Sequence, residues 1–299
     1  MKPYDIAFIG HMCYDEVIPF QGETRIAPGS AVLCGAMAAA RVGKKVLVIT
    51  RLAQADESML AAFHAEGIDT CLIPAPETTY VKVIHPSTDV DQRQIIVLRN
   101  SGPFHIAELP IFEADNVHLA GISDQEFSLK FMLGLKARGY NLSIDMQSFV
   151  RQVNPYTQEI NFGDVSIKEE IVQLMEKVKL DVVEAEMLTG TRNLAQAAQI
   201  IESWGCPEVV ITRADGVLAR RDGKGWVCPF TNRNTIGRTG RGDTTFGAYL
   251  AWRQEHDVAE SLQFASALVS IKMETPGPFA GKLGDVLARM SLTAPASAI

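Results

Sequence analysis

No stretch of this 299-residue chain has the uninterrupted apolar length of a membrane-spanning helix. Its start runs straight into a strand-like pattern, Tyr4 to Gly10, without the basic and apolar regions of a secretory leader. Both absences predict a soluble, cytoplasmic protein. Cysteine is scarce: Cys13, Cys34, Cys71, Cys206 and Cys228 are an odd number at wide spacings, with no CxxC pair and no Cys/His cluster. That excludes a disulfide framework or zinc site and reads as reduced, mostly buried thiols. The six histidines, among them His11, His64, His85 and His118, show no metal-ligand spacing, so surface or satisfied core positions are expected for them. A GxxxxGK[ST] phosphate loop is missing as well. Basic residues form no block, and a net charge of −7 opposes binding to a nucleic-acid backbone, so an anionic substrate would need a locally basic pocket.

What is present is 47% apolar and 21% charged residues, enough for one large domain over about 1–290. Short β-rich runs (Ile6 to Gly10, Val46 to Thr50, Val117 to Leu119, Leu142 to Asp145, Asp181 to Val183, Val209 to Thr212) alternate with helical patterns. The helices are expected at Val32 to Arg41, Ser58 to Glu66, Glu126 to Arg138, Ser166 to Lys177 and Leu194 to Trp204. This order predicts an α/β fold with a mainly parallel sheet and helices on both faces. Two β-like runs, Thr78 to Ile84 and Arg93 to Leu98, break the alternation around a polar turn, Ser87 to Asp91, and suggest an inserted hairpin. Val217 to Arg220 and Trp226 to Phe230 form a second hairpin, followed by helices from Asp243 and Val258 and a short one near Leu283 to Arg289. Ser291 to Ile299, with Pro and small residues, reads as a frayed tail.

The most informative segment is Thr239-Gly240-Arg241-Gly242-Asp243 running into an apolar helix. Glycines let backbone N–H groups converge, and the helix N-terminus adds partial positive charge, so the turn suits an anion. Asp243 would repel that anion unless it has a proton to take, which suits general-base work on a hydroxyl attacking a phosphoryl group. A capped helix explains the same residues more plainly.

The segment resembles the second signature of the ribokinase/PfkB carbohydrate kinase family, usually DTxGAGD, with Gly237 in place of the leading Asp and Arg241 in place of Ala. The resemblance implies Asp243 as catalytic base and Gly240, Arg241 and Gly242 as the anion hole. Gly29 to Gly43 is similar to the first signature, with Ser30 replacing the second glycine and Cys34 the sugar-binding Asn; Asp15, Gly29, Ser30 and Cys34 then face the acceptor. Asp145-Met146-Gln147 through Arg151 resembles a DPNxR-type stretch, which adds Gln147 and Arg151 to the substrate side. Asp181 to Gly190 resembles the NxxE motif and its continuation. There Glu184 would organise a Mg²⁺ water shell, Glu186 being the competitor. Thr212, Asp215 and Gly216 resemble the loop under the nucleotide, and Ser266 stands where an Asn lies beside adenine.

The resemblance covers nearly the whole chain. It implies a ribokinase-like fold with a β lid at about 74–104, to which part of 13–28 is a further candidate. It also implies ATP and Mg²⁺ as cofactors and a small sugar or polyol as substrate, with local features leaning to the inositol-kinase-like branch. An exposed lid face would allow a homodimer. Two alternatives stay open: a nucleoside kinase of the same fold, and a catalytically silent small-molecule binder.

Overall fold

The computed structural model describes residues 4–87 and 93–299. Thr88 to Asp91 of the expected lid turn lie outside them. The main sheet has ten strands in the order 297–298, 224–229, 216–221, 208–212, 177–181, 142–145, 114–119, 4–9, 46–53 and 69–75. The pairings from 208–212 through to 69–75 are parallel; the hairpin 216–229 and the last strand add antiparallel edges. The parallel strands read as near-continuous apolar runs because both their faces are covered. Val46-Leu47-Val48-Ile49-Thr50-Arg51-Leu52 is buried throughout.

One core lies under the helices Ala31–Arg41, Arg241–Trp252 and Val258–Met273, and a second under Leu129–Ala137 and Leu194–Ser203 on the opposite face. Ser30 caps the first of these helices, accepting from Leu33 N at 3.0 Å, and Asp257 caps the third, accepting from Glu260 N at 2.9 Å. The first two helices cross where glycines meet: a Cβ on Gly247 would stand 2.5 Å from Gly35 O. That contact sets the two glycine-rich segments side by side at the carboxyl ends of the strands, where open α/β sheets bind ligands.

A second sheet of four strands, in the order 25–29, 13–18, 79–84 and 94–99, stands apart from the main one. It contains the inserted hairpin, and residues 13–29 supply its other half. Its strand 13–18 leaves directly from the end of the central strand 4–9, which ties the cover to the site.

Several boundaries differ from expectation. The strand expected from Asp181 to Val183 ends at Asp181, and Val182 and Val183 open the helix Val182–Thr189. The helix expected from Ser166 to Lys177 is Lys168–Gln173, and Lys177 already begins a strand whose Val178, Lys179 and Leu180 are all buried in the sheet. Ser291 to Ile299 is not a frayed tail: Ser297 and Ala298 pair with the edge strand, and Ile299 N donates to Gly225 O at 2.9 Å. Small residues there fit the sheet edge as well as they fit a loop. Among the described residues, no helix is long and apolar enough to cross a membrane.

Candidate active site

Asp243 and Asp15, from opposite ends of the chain, lie near enough for the charge of one to act on the other. Asp243 lies in the first turn of Arg241–Trp252. Asp15 is in the lid strand 13–18, opposite Ala27, and its carboxylate lies over Gly29: a Cβ there would sit 1.9 Å from Asp15 Oδ2. Only glycine at 29 leaves room for that carboxylate. Burial pushes the Asp15 pKa up to about 6, against the bond from Cys13 Sγ, and the nearby Asp243 adds to the rise. A carboxylate so placed has oxygen positions open to hydroxyl donors.

Ser30 keeps the geometry of the glycine it replaces, with φ at 152°, which costs a non-glycine residue about 1–3 kcal/mol. Its hydroxyl caps the helix and also reaches Met12 Sδ. Cys34 stands near both Asp243 and Asp15. Its thiol lies behind the anion turn, 2.3 Å from where a Gly240 Cβ would be, and burial pushes it up to about 12. Gln147 is buried, its Nε2 donating to Gly121 O at 2.8 Å and its backbone N to Asp145 Oδ1 at 3.1 Å.

The anion turn is narrower than its sequence suggests. Gly240 adopts φ +76°, and Arg241 N donates to Arg238 O at 3.1 Å, so that amide closes the turn instead of facing a ligand. The amides of Gly242 and Asp243 remain at the open end of the helix, where no carbonyl stands behind them. Lys272, in the neighbouring helix, holds the loop from below through Gly237 O at 2.5 Å and Thr239 O. Gly237 has no room for the family's Asp, since a Cβ there would meet Thr275 O at 1.8 Å.

A buried lysine, unnoticed in the sequence, completes the site. Lys179 Nζ is 2.8 Å from Asp145 Oδ2 and 4.0 Å from Glu184 Oε2. It faces Gly242, whose Cβ would approach it to 3.0 Å. Burial alone would lower its pKa; Asp145 and Glu184 more than offset that and raise it, so the ammonium is permanent. Its signal was a lysine flanked by Val178 and Leu180 in a central strand.

Glu184 is fully buried, and burial followed by Asp181 raises its pKa. Its Oε2 accepts from Asp181 N at 2.7 Å, while Oε1 has no hydrogen-bond partner and lies 3.7 Å from Arg151. Asp181, in place of the family's Asn, caps the helix by accepting from Val183 N and Glu184 N, both at 2.9 Å, which either residue can do. Among the described residues no three carboxylates, cysteines or histidines cluster to hold a metal directly. The free Glu184 oxygen fits an ion held through water.

The expected nucleotide loop is largely self-satisfied. Thr212 Oγ1 donates to Leu180 O, Asp215 pairs with Arg213 at 2.8 Å, and Gly216 is paired in the sheet with Pro229. Ser266 is not beside a cleft: it is fully buried and donates to Pro229 O at 2.5 Å. A hydroxyl is too short to reach out of the helix packing where an Asn side chain would. Arg241 reaches across from the anion turn to Ala214 O at 3.4 Å, and its buried Nε has no partner. Burial, then Arg238, brings Arg241 down to about 10, still cationic at neutral pH. His11 and His118 are satisfied core histidines; His11 Nε2 pairs with Gly102 O at 2.8 Å and His118 Nδ1 with Ser143 Oγ at 3.1 Å.

Comparison with known proteins shows the family and the fold. The chain is 30% identical, over 95% of its length and 99% of the other chain, to a pyrophosphate-dependent kinase of the ribokinase family solved as a sulfate complex, with a TM-score of 0.88. A pyrophosphate-dependent kinase of that family complexed with a pyrophosphate analog and myo-inositol matches at 28% identity over 95% and 99% of the two chains, TM-score 0.86. A cytidine kinase of Thermococcus kodakarensis is 29% identical over 254 residues, 83% of this chain and 87% of the relative. Residues 4–282 match the family described as pfkB family carbohydrate kinase. With its ribokinase-like sheet, its β cover and an aspartate on a glycine-built anion turn, the chain belongs to the pfkB family of carbohydrate kinases.

Proposed function

We propose that the chain transfers a phosphoryl group from inorganic pyrophosphate to a hydroxyl of a cyclic polyol of the myo-inositol kind. The observation that carries the donor assignment is the Arg241 guanidinium, which spans from the anion turn to Ala214 where the family would seat a nucleotide. Near it stand Arg93, Arg238 and Lys272, and Lys179 faces Gly242 of the same turn, a set of cations suited to a compact polyanion with no base to stack. The pyrophosphate-dependent kinases of similar sequence support the same reading.

In this mechanism Asp15 accepts hydrogen bonds from two hydroxyls of the polyol and sets the attacking oxygen near Asp243. Asp243 takes the hydroxyl proton as the new O–P bond forms and the bond to the leaving phosphate breaks, giving the polyol phosphate and orthophosphate. The amides of Gly242 and Asp243, with the Lys179 ammonium, stabilise charge on the transferred group. Mg²⁺, if held through water at Glu184, would neutralise donor phosphate charge.

The test is turnover with myo-inositol, comparing pyrophosphate with ATP by product formation. A kcat/KM for pyrophosphate at least about tenfold above that for ATP, a transition-state preference of about 1.4 kcal/mol, is expected. Preference for ATP would return the donor to the nucleotide expected from the family resemblance. The cytidine kinase relative favours a second acceptor, a nucleoside, so cytidine belongs in the same assay.

A further inference from the structure

Lys272 lies in the last turn of the helix Val258–Met273 and is almost wholly buried. A lysine has three N–H donors and no acceptor, and burying it is costly unless those donors are met. Its partners are two backbone carbonyls, Gly237 O at 2.5 Å and Thr239 O. Both belong to the loop that enters the anion turn. The same helix end holds that loop a second time, since Gly237 N donates to Met273 O at 2.8 Å.

In a trans peptide the carbonyl and the N–H that follows it point in opposite directions. Thr239 O, drawn down onto Lys272, therefore turns the Gly240 N–H away from the helix and toward the open side of the turn. Among the described residues that N–H donates to no backbone carbonyl. Gly240 is left-handed at φ +76°, and a Cβ there would come within 2.3 Å of Cys34 Sγ, so no side chain at this position can fix the peptide's orientation. The ammonium fixes it instead. Lys272 Nζ is 3.8 Å from that Cβ position, and the charges of Asp243 and Arg241 both act on it.

Resting on the phosphoryl-transfer reading, we infer that Lys272 is a positioning residue: through Thr239 O it holds the Gly240 N–H outward as a third donor to the transferred group, beside the amides of Gly242 and Asp243. It acts through the peptide and touches no reacting atom. Without the ammonium the Thr239–Gly240 peptide is free to rotate, because glycine tolerates the alternative conformations, and the donor leaves the site. Loss of one preorganised donor of this kind lowers kcat by about 10²- to 10³-fold, and loosening it costs a share of that.

The test compares Lys272→Met, which keeps the volume and removes the donors, with Lys272→Ala, which opens a space for a small ammonium ion. Turnover is measured with whichever of pyrophosphate or ATP, and of myo-inositol or cytidine, the wild type uses. Both variants should lower kcat at least about tenfold while the acceptor KM moves by less than about twofold. Ammonium or methylammonium chloride should restore Lys272→Ala at least about fivefold over tetramethylammonium chloride at equal ionic strength, and should do nothing for Lys272→Met or wild type. An alanine variant with wild-type kcat in tetramethylammonium, or one that answers all three salts alike, would overturn the inference. Should Lys272→Ala fold poorly, Lys272→Met decides, and a kcat equal to that of wild type would count against the ammonium. Glycine-selective isotope labelling reads the same point without turnover: orthophosphate should move the Gly240 amide proton downfield in wild type and leave it in place in Lys272→Met. A wild-type Gly240 amide that orthophosphate does not move would refute its role as a donor. Absence of turnover with every pairing would remove the phosphoryl-transfer reading alone, since the amide signal does not depend on it.

Discussion

Replacing Asp15 with Asn should make the unliganded protein more stable at neutral pH while depriving it of its acceptor. The carboxylate is largely withdrawn from water and stands near Asp243; burial first, then Asp243, raise its pKa from 3.8 to about 6 against the thiol bond from Cys13, which lowers it. A carboxylate whose folded pKa lies above its unfolded value binds protons more tightly when folded. Its contribution is therefore neutral below about pH 4 and becomes destabilising as pH rises toward 6. The full loss is about 2.2 pH units times 1.36 kcal/mol, or about 3 kcal/mol, present by pH 7. Asn is nearly isosteric and uncharged, so the stability difference between Asp15→Asn and wild type should grow by about 3 kcal/mol between pH 4 and pH 7. Urea unfolding of both proteins across that range measures it. Hydroxyl donors from a bound polyol should restore the ionised form, so wild-type acceptor affinity should rise as pH passes upward through about 6. A stability difference that stays flat from pH 4 to pH 7 would refute the account of Asp15 as a desolvated carboxylate awaiting a ligand.

Asp243→Asn should leave folding intact and lower kcat by about 10²- to 10⁴-fold, the usual contribution of a positioned base; turnover near wild type would remove Asp243 from the mechanism. Arg241→Ala should lower kcat/KM for pyrophosphate by about tenfold or more, since a charge-assisted bond contributes about 1.5–3 kcal/mol. Unchanged pyrophosphate kinetics would mean the guanidinium serves only Ala214. Lys179→Met should destabilise the fold by about 3–5 kcal/mol by leaving Asp145 buried without its cation, and Asp145→Asn in the same background should recover part of that. Failure of the second change to help would show that Lys179 acts on stability by packing alone.

The alternation of apolar strands and helices and the break of rhythm near residue 80 were enough to identify the main sheet and the inserted hairpin, and the glycine turn singled out Asp243 as the candidate base, because each rests on local chemistry and spacing. Apolar runs must be covered on both faces, and a glycine-rich helix start presents amides whatever surrounds it. The meeting of Asp15 with Asp243 required the crossing of two helices at Gly35 and Gly247, a contact between residues more than two hundred positions apart. Only the fold showed that Arg241 gives its amide to the turn and extends its side chain over Ala214, and that Ser266 faces inward. Motif position does not determine which way a side chain turns within packed helices. The sheet alone sets Lys179 between Asp145 and Glu184. Local sequence thus determined the elements and the candidate reactive groups, while the grouping of charges about the glycine turn was decided by packing, since burial and neighbours set the electrostatics of each group.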